Sequence, residues 1–161
     1  MFLIVASKKD IAGINIARQI IDLYGFDEAP ESSKQNPLYS KNLQGREIKL
    51  VFLNEETIFT QNLSDHFSPQ LLVFISRHSG VAGIPTLSVH TPGNLTDKTE
   101  FGGLPRRVSV SPASAMKNAL LEMVHLREEM ALNYEVSYEC IHHGPSLEVP
   151  TMFVELGSSL E

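Results

Sequence analysis

Cysteine is almost absent from this sequence. Cys140 stands alone, so no internal disulfide framework is available and the chain suits a reducing, cytosolic setting. Long apolar runs are also missing. None approaches the roughly 20 residues that a helix needs to cross a bilayer. The first apolar run, Phe2-Leu3-Ile4-Val5-Ala6, is too short for the core of a secretion signal and has no basic segment before it. It reads as a buried strand. Positive charge is scarce: 13 Lys and Arg stand against 19 Asp and Glu, a net charge of −6. That balance argues against a surface that coats DNA or RNA broadly, while leaving room for a small basic site. There is no internal repeat, no low-complexity segment, no H-E-x-x-H metal motif and no Gly-rich phosphate loop.

What remains is a globular composition, 42% hydrophobic and 20% charged over 161 residues. It is read as one α/β domain over 1–161 with a substantial core. Histidine is the notable class. Of six, four fall near the ends of predicted strands.

The chain opens as a strand, a short turn and a helix. Asp10 is placed to cap a helix from Ile11 to Tyr24, and Gly25 to stop it. Gly13 falls on the helix's apolar side, where it permits close approach to a sheet. Residues 27–37 read as loop, 38–39 as a short strand, 42–45 as a turn, 48–53 as a strand and 57–60 as a shorter one. A connector or short helix carrying His66 follows. Leu71-Leu72-Val73-Phe74-Ile75 is the most apolar run and is expected as a central strand buried on both faces. Thr86 to Val89 is a strand ending at His90. Residues 91–107 form a long glycine-rich loop of a length more often functional than idle. Val108 to Val110 reads as a strand, with Ser111-Pro112 as the start of a helix to about Leu132. Tyr134 to Ile141 reads as a strand, His142-His143-Gly144-Pro145 as a turn, and Leu147 to Leu156 as a strand bent or placed at an edge by Pro150. Gly157 to Glu161 has the chemistry of a helix start.

In open α/β sheets ligands gather outside the carboxyl ends of strands. Four strand ends carry functional groups: Ser7, Lys8 and Asp10; Arg77 and His78; His90; and His142 with His143. Parallel strands bring all of them to one edge. Imidazole is a common zinc ligand, and a catalytic zinc keeps one position open for water. His78, His90 and one of His142 and His143 can supply three ligands, with Glu139, Asp10 or Glu100 as an added oxygen or a supporting partner. The competing reading for each histidine is an ordinary polar residue at a strand end; His66 and His125 are left there. Ser7-Lys8 before the first helix resembles an anion site, with surface lysines as the plain alternative. Arg106-Arg107, with Lys98 and Arg77, can grip a phosphate backbone locally, or form a solvated basic pair. Cys140 is either a small core residue or a nucleophile paired with His142 two positions on.

Ala6-Ser7-Lys8-Lys9-Asp10 with Asn15-Ile16, then Ser76-Arg77-His78, Thr86-Leu87-Ser88-Val89-His90-Thr91-Pro92-Gly93-Asn94 and Cys140-Ile141-His142-His143-Gly144-Pro145 together resemble the archaeal-type D-aminoacyl-tRNA deacylase family, also found in plants. The resemblance runs the length of the chain. It implies a three-layer α/β/α fold of the phosphorylase/hydrolase-like kind, built on a mixed, mostly parallel sheet. It implies a zinc-dependent cytoplasmic enzyme that hydrolyses the ester between a D-amino acid and the tRNA 3′ end, in translation quality control. Family members continue well past residue 161, so the chain is expected to be C-terminally truncated. The site expected from these blocks has His78, His143 and Cys140 as catalytic groups and His78, His90 and His142 on the metal. Ser7, Lys8, Arg77, Asn94 and Arg106 are expected on the substrate, with the loop over 91–107 as the chirality-selecting wall. The partner is the acceptor end of a D-aminoacyl-tRNA, without membrane or DNA, and a monomer is favoured. Two rivals use the same residues: a metal-dependent hydrolase or phosphorylase-like enzyme acting on a small molecule, and a non-catalytic module binding RNA ends or nucleotides.

Overall fold

A computed structural model describes residues 1–157; the helix start expected over 157–161 lies almost wholly outside them. Eight strands form one sheet: β1 (Phe2–Ser7), β2 (Asp27–Glu28), β3 (Leu38–Leu43), β4 (Arg46–Leu53), β5 (Leu71–Arg77), β6 (Thr86–His90), β7 (Glu135–Tyr138) and β8 (Thr151–Gly157). Their order is β2-β3-β4-β1-β5-β8-β6-β7. The β1–β4, β1–β5, β5–β8 and β6–β7 pairings are parallel, whereas β2–β3, β3–β4 and β6–β8 are antiparallel. The sheet is therefore mixed, with flanking helices, as expected for the fold class.

Side chains alternate across a sheet, so register decides which residues share a face. One face carries Ala6, Leu50, Phe52 and Ile75, and α1 (Ile11–Tyr24) packs on it through Ile14, Ala17, Ile20 and Ile21. Val89 and Met152 lie on the same face beneath α3 (Ala113–Glu129), which contributes Met116, Leu120 and Met123. The helix α1 starts where the sequence places it because both Ala12 N–H and Gly13 N–H donate to Asp10 Oδ1, at 3.0 and 3.2 Å. It stops where Gly25 adopts φ 63°. A Cβ at Gly13 would stand 2.8 Å from the Ile75 carbonyl oxygen, which is why a glycine sits where helix and sheet meet.

The opposite face carries Leu3, Val5, Val51, Leu53, Leu72, Phe74 and Phe153. Phe74 and Phe153 stack at 4.6 Å between ring centroids. Burying two such rings contributes about 1.5–3 kcal/mol each. A 3-10 turn at Thr57–Phe59, the short helix α2 (Leu63–Phe67) and the chain around Leu147 cover one half of this face. The β8–β6–β7 half holds the polar side chains described below.

Several local expectations need correction. Residues 57–60 are not a strand; the Thr57 and Glu56 carbonyls accept from Thr60 and Phe59 instead and close the 3-10 turn. Val108 and Val110 make only isolated bridges, to Gly93 and Pro150. Ser111 does not cap α3: its hydroxyl lies against Thr91 Oγ1 and Met116 Sδ, and Pro112 is the N-cap. The strand β8 is central, between β5 and β6. Pro150 escapes conflict by standing just before it, where it needs no ladder N–H.

Candidate active site

The strand β6 runs antiparallel to β8, and hence to β5. The carboxyl ends of β5 and β6 therefore lie toward opposite edges, and His78 and His90 do not meet as two parallel strand ends. They come near one another through the face. His90 is level with Phe153 on β8, which is level with Phe74 on β5. Glu155 projects from that face, and Glu139 follows β7 with its N–H bonded to the Val89 carbonyl at 3.0 Å. Over this half of the sheet opens a cavity of about 1180 Å³, lined by His78, Glu139, His142, His143, Phe153 and Glu155 among others.

Two groups of side chains stand at the wall of this cavity, with His90 buried behind it. His90, His142 and His143 bring ligand-type atoms within 4.8 Å of one another, and so do His78, Glu139 and Glu155. In the first group His90 Nε2 and His143 Nε2 are 3.3 Å apart. The His142 Nδ1 atom is 2.7 Å from the Cys140 carbonyl oxygen, and His143 Nδ1 is 2.8 Å from that of Gly144. A carbonyl only accepts, so both Nδ1 atoms carry the hydrogen and both Nε2 atoms keep a lone pair. That is the arrangement by which backbone carbonyls orient metal-binding histidines. His90 is fully buried, its ring stacked on Phe153 at 5.1 Å with 9° between planes. Its Nδ1 has no hydrogen-bond partner. Burial pushes the His90 imidazole down to about 2, helped by the nearby His143, His142 and His78 charges. Burial likewise lowers His143 to about 4, against the pull of its bond to Gly144. Both rings are neutral at pH 7, the state a metal ligand requires. Two imidazole nitrogens on one tetrahedral zinc stand about 3.3 Å apart for Zn–N bonds of about 2.0–2.1 Å. The donor set fits zinc.

In the second group His78 Nδ1 lies 3.0 Å from Glu139 Oε1 and 3.6 Å from Glu155 Oε2. The nearer contact is not aligned as a hydrogen bond, and Glu139 Oε1 is left without a partner. Ser76 Oγ donates to Glu155 Oε1 at 2.8 Å. Burial nevertheless raises the Glu155 carboxyl to about 7, the Ser76 bond opposing the shift and the Glu139 and Asp10 charges adding to it.

The residues singled out in the sequence are thus divided. The expected ligands His78, His90 and His142 fall into both groups, with His90 and His142 joined by His143, and His78 by carboxylates. Ser7 and Arg77 line the cavity. Arg77 N–H donates to Asp10 Oδ2 at 2.7 Å. The α1 N-terminus already holds the Asp10 carboxylate, and Lys8 Nζ donates to the Lys34 and Gln35 carbonyls at 3.2 and 2.6 Å, so the two do not frame an open anion site. Arg106 pairs with Asp97 at 2.7 Å on the surface, and Arg107 with Glu148 at 2.7 Å. Asn94 is buried inside the long loop, its amide donating to the Gly102 and Leu104 carbonyls at 2.8 and 3.2 Å. Cys140 is exposed, and its carbonyl, not its thiol, faces His142. The loop braces the histidines: Gly93 N–H donates to the His143 carbonyl at 2.6 Å and Gly144 N–H to that of Phe101 at 3.0 Å. Glu155 and Phe101 were not singled out beforehand. Glu155 sits in an apolar strand without a motif, and no local pattern marks Phe101 as a cavity residue.

By its fold the chain stands among nucleosidase- and phosphorylase-like α/β proteins. It superposes on the Campylobacter jejuni 5′-methylthioadenosine/S-adenosyl homocysteine nucleosidase with a TM-score of 0.59 at 14% identity, over 98% of this chain and 85% of that one. A solved conserved protein of unknown function is nearer, with a TM-score of 0.86 at 28% identity, over 99% of this chain and 56% of that one. The sequence is more specific. The model of the D-aminoacyl-tRNA deacylase family matches residues 65–161, and the chain belongs to that family. The D-aminoacyl-tRNA deacylase of Pyrococcus furiosus is 38% identical over the whole of this chain and 59% of its own length, so the chain spans about three fifths of such relatives. Among the described residues no helix is long and apolar enough to cross a membrane.

Proposed function

We propose that this chain carries the hydrolytic site of a cytoplasmic D-aminoacyl-tRNA deacylase, which cleaves the ester between a D-amino acid and the tRNA 3′ end and so protects translation from D-residues. The observation that carries the reading is the convergence of three imidazoles, two of them held neutral, beside a carboxylate–histidine group, with His142, His143, His78, Glu139 and Glu155 lining one cavity and His90 buried behind them. His90, His142 and His143 would hold zinc. When bound, zinc supplies a Lewis acid and a water whose pKa falls to about 7.

The chain's own residues supply the rest. Glu155, held near pH 7 between its charged and neutral forms, is matched to accept a proton from attacking water and return one to the leaving ribose oxygen. His78, facing both carboxylates through Nδ1, positions them for the transfer. Water adds to the acyl carbon, the C–O ester bond breaks, and a free amino acid and a terminal ribose hydroxyl result. Arg77, at the cavity wall, is a cation for the developing oxyanion or a terminal phosphate. The loop over 91–107 braces the His142–His143 turn through its backbone, Gly93 N–H donating to the His143 carbonyl and the Phe101 carbonyl accepting from Gly144 N–H; the amino-acid side chain must fit between that backbone and the imidazoles, and this is where one chirality is refused.

The test is hydrolysis of matched D- and L-aminoacyl-tRNAs by the zinc-loaded protein, beside free amino-acid esters, peptides and nucleosides. Release of the D-amino acid at least 100-fold faster than of its L counterpart is expected, on the order of 3 kcal/mol of discrimination. Equal rates, or turnover of nucleosides or peptides in place of the aminoacyl ester, would overturn the reading.

A further inference from the structure

A ridge separates the histidine cavity from a second cavity of about 430 Å³. It consists of the 3-10 turn at Thr57–Phe59 and the Phe101-Gly102-Gly103 corner of the long loop. Ile58 lines the histidine cavity, Phe59 the second one and Phe101 the first. Both phenylalanine rings stand in solvent, Phe101 at 64% and Phe59 at 48% exposure.

A single exposed apolar residue is ordinary. These two differ in being fixed. Gly102 has φ 79°, and a Cβ there would collide with the Ile58 carbonyl and stand 3.2 Å from Phe59 Cδ1. Gly103 has φ 77°, and a Cβ there would stand 3.0 Å from Gly144 Cα. The Phe101 carbonyl accepts from Gly144 N–H at 3.0 Å. The backbone of Phe101 is thus clamped between the turn that carries Phe59 and the turn that carries His142 and His143. The backbone that carries this exposed aromatic ring is held in register with the imidazoles, so little backbone ordering is left to lose on contact.

Resting on the deacylase reading, we infer that Phe101, with Phe59 behind it, is the stacking platform for the unpaired nucleobases at the 3′ end of the RNA substrate. The scissile ester joins the last ribose, so a base one residue from the reacting carbon must lie at the rim of the histidine cavity. Single-stranded bases present π-faces, and aromatic side chains bind them with little regard to sequence. A chain of net charge −6 has little general attraction for phosphate, so stacking at the mouth is a source of affinity for the RNA end that does not depend on a broad basic surface.

Two measurements test this. In steady-state hydrolysis of a D-aminoacyl-tRNA, Phe101→Ala raises KM about tenfold, as expected from stacking at about 1–3 kcal/mol per base, while kcat stays within about twofold. Phe101→Trp keeps the wild-type KM and Phe101→Leu does not, and none of the three changes hydrolysis of a D-amino-acid ethyl ester, which has no base. An unchanged KM in Phe101→Ala, a leucine variant equal to wild type, or an equal loss on the ethyl ester overturns the platform. The second measurement needs no turnover: an ACCA oligoribonucleotide ending in 2-aminopurine is titrated with wild type and Phe101→Ala, and stacking is read as fluorescence quenching. Quenching that depends on Phe101 is expected. Its absence in wild type, or its persistence in the variant, overturns the inference. A protein that quenches through Phe101 yet cleaves no ester leaves the platform standing and removes the hydrolase reading instead.

Discussion

His90 Nε2 and His143 Nε2 lie 3.3 Å apart, although one ring is rooted in a strand and the other in a turn 53 residues later. Neither ring bears a proton to spare for repelling a cation, since burial lowers both imidazoles well below neutrality. The pair, with His142, forms the donor set around which the candidate site is arranged.

That grouping predicts which variants lose metal. His90→Ala and His143→Ala should each lower zinc content, measured by elemental analysis after dialysis, by at least tenfold in affinity, the scale of a lost ligand or orienting contact. His78→Ala should keep zinc at the imidazole group while kcat falls by about 10²–10⁴. Zinc lost from His78→Ala but retained by His143→Ala would restore the ligand set drawn from sequence blocks alone.

The reason sequence could mislead there is topological. The elements Phe2–Ser7, Ile11–Tyr24, Leu71–Arg77 and Thr86–His90 are legible because length, apolar run and punctuation are local properties. The insertion of β8 between β5 and β6, and the reversal of β6 that results, are not. Strand direction comes from pairings far apart in the chain, so a histidine at a strand's end can be found without knowing which edge it faces. Glu155 was hidden for a related reason: a carboxylate in an apolar strand looks like a solvent-facing residue until its neighbours bury it.

Gly144 should tolerate no side chain. A Cβ there would collide with Gly103 N and Gly102 C, and stand 2.7 Å from Gly103 Cα. All are backbone, so no rotamer change relieves the overlap. Gly144→Ala should lower stability by about 1–3 kcal/mol, read as a lower urea midpoint, and should also reduce zinc affinity because the turn carries His142 and His143. Normal stability with normal zinc content would show that the loop and the turn are not held together as described.

Asp10 joins two elements through one carboxylate. Its Oδ1 caps α1, and its Oδ2 accepts Arg77 N–H at the end of β5. Asp10→Ala should cost about 2 kcal/mol, the upper end of the range for a lost cap. Asp10→Asn keeps one acceptor for the cap but turns an amide donor toward Arg77 N–H, so it should recover the cap's share of the loss and not the remainder. Equal losses in the two variants would mean that the contact to Arg77, and not the cap, carries the stability.

Stability of the metal-free protein should rise with pH between about 4.5 and 6.5. His90 is lowered to about 2 and His143 to about 4, chiefly by burial. Below 6.5 the unfolded chain therefore binds protons that the folded chain refuses, and acid favours unfolding. Glu155 acts in the opposite sense. Burial raises its carboxyl to about 7, so between about 4.5 and 7 the folded chain holds a proton that the unfolded chain has released, and rising pH weakens the fold. Two histidines outweigh one carboxyl, which leaves a net slope of at most about 1.4 kcal/mol per pH unit and a stability maximum near 6.5. Glu155→Gln removes the opposing contribution. Its melting temperature, followed from pH 4.5 to 7.5 with a chelator present, should climb more steeply than that of wild type and show no decline between 6.5 and 7. A slope unchanged by the substitution would mean that Glu155 titrates alike in the folded and unfolded chain, and the proton-transfer role proposed for it would lose its physical basis.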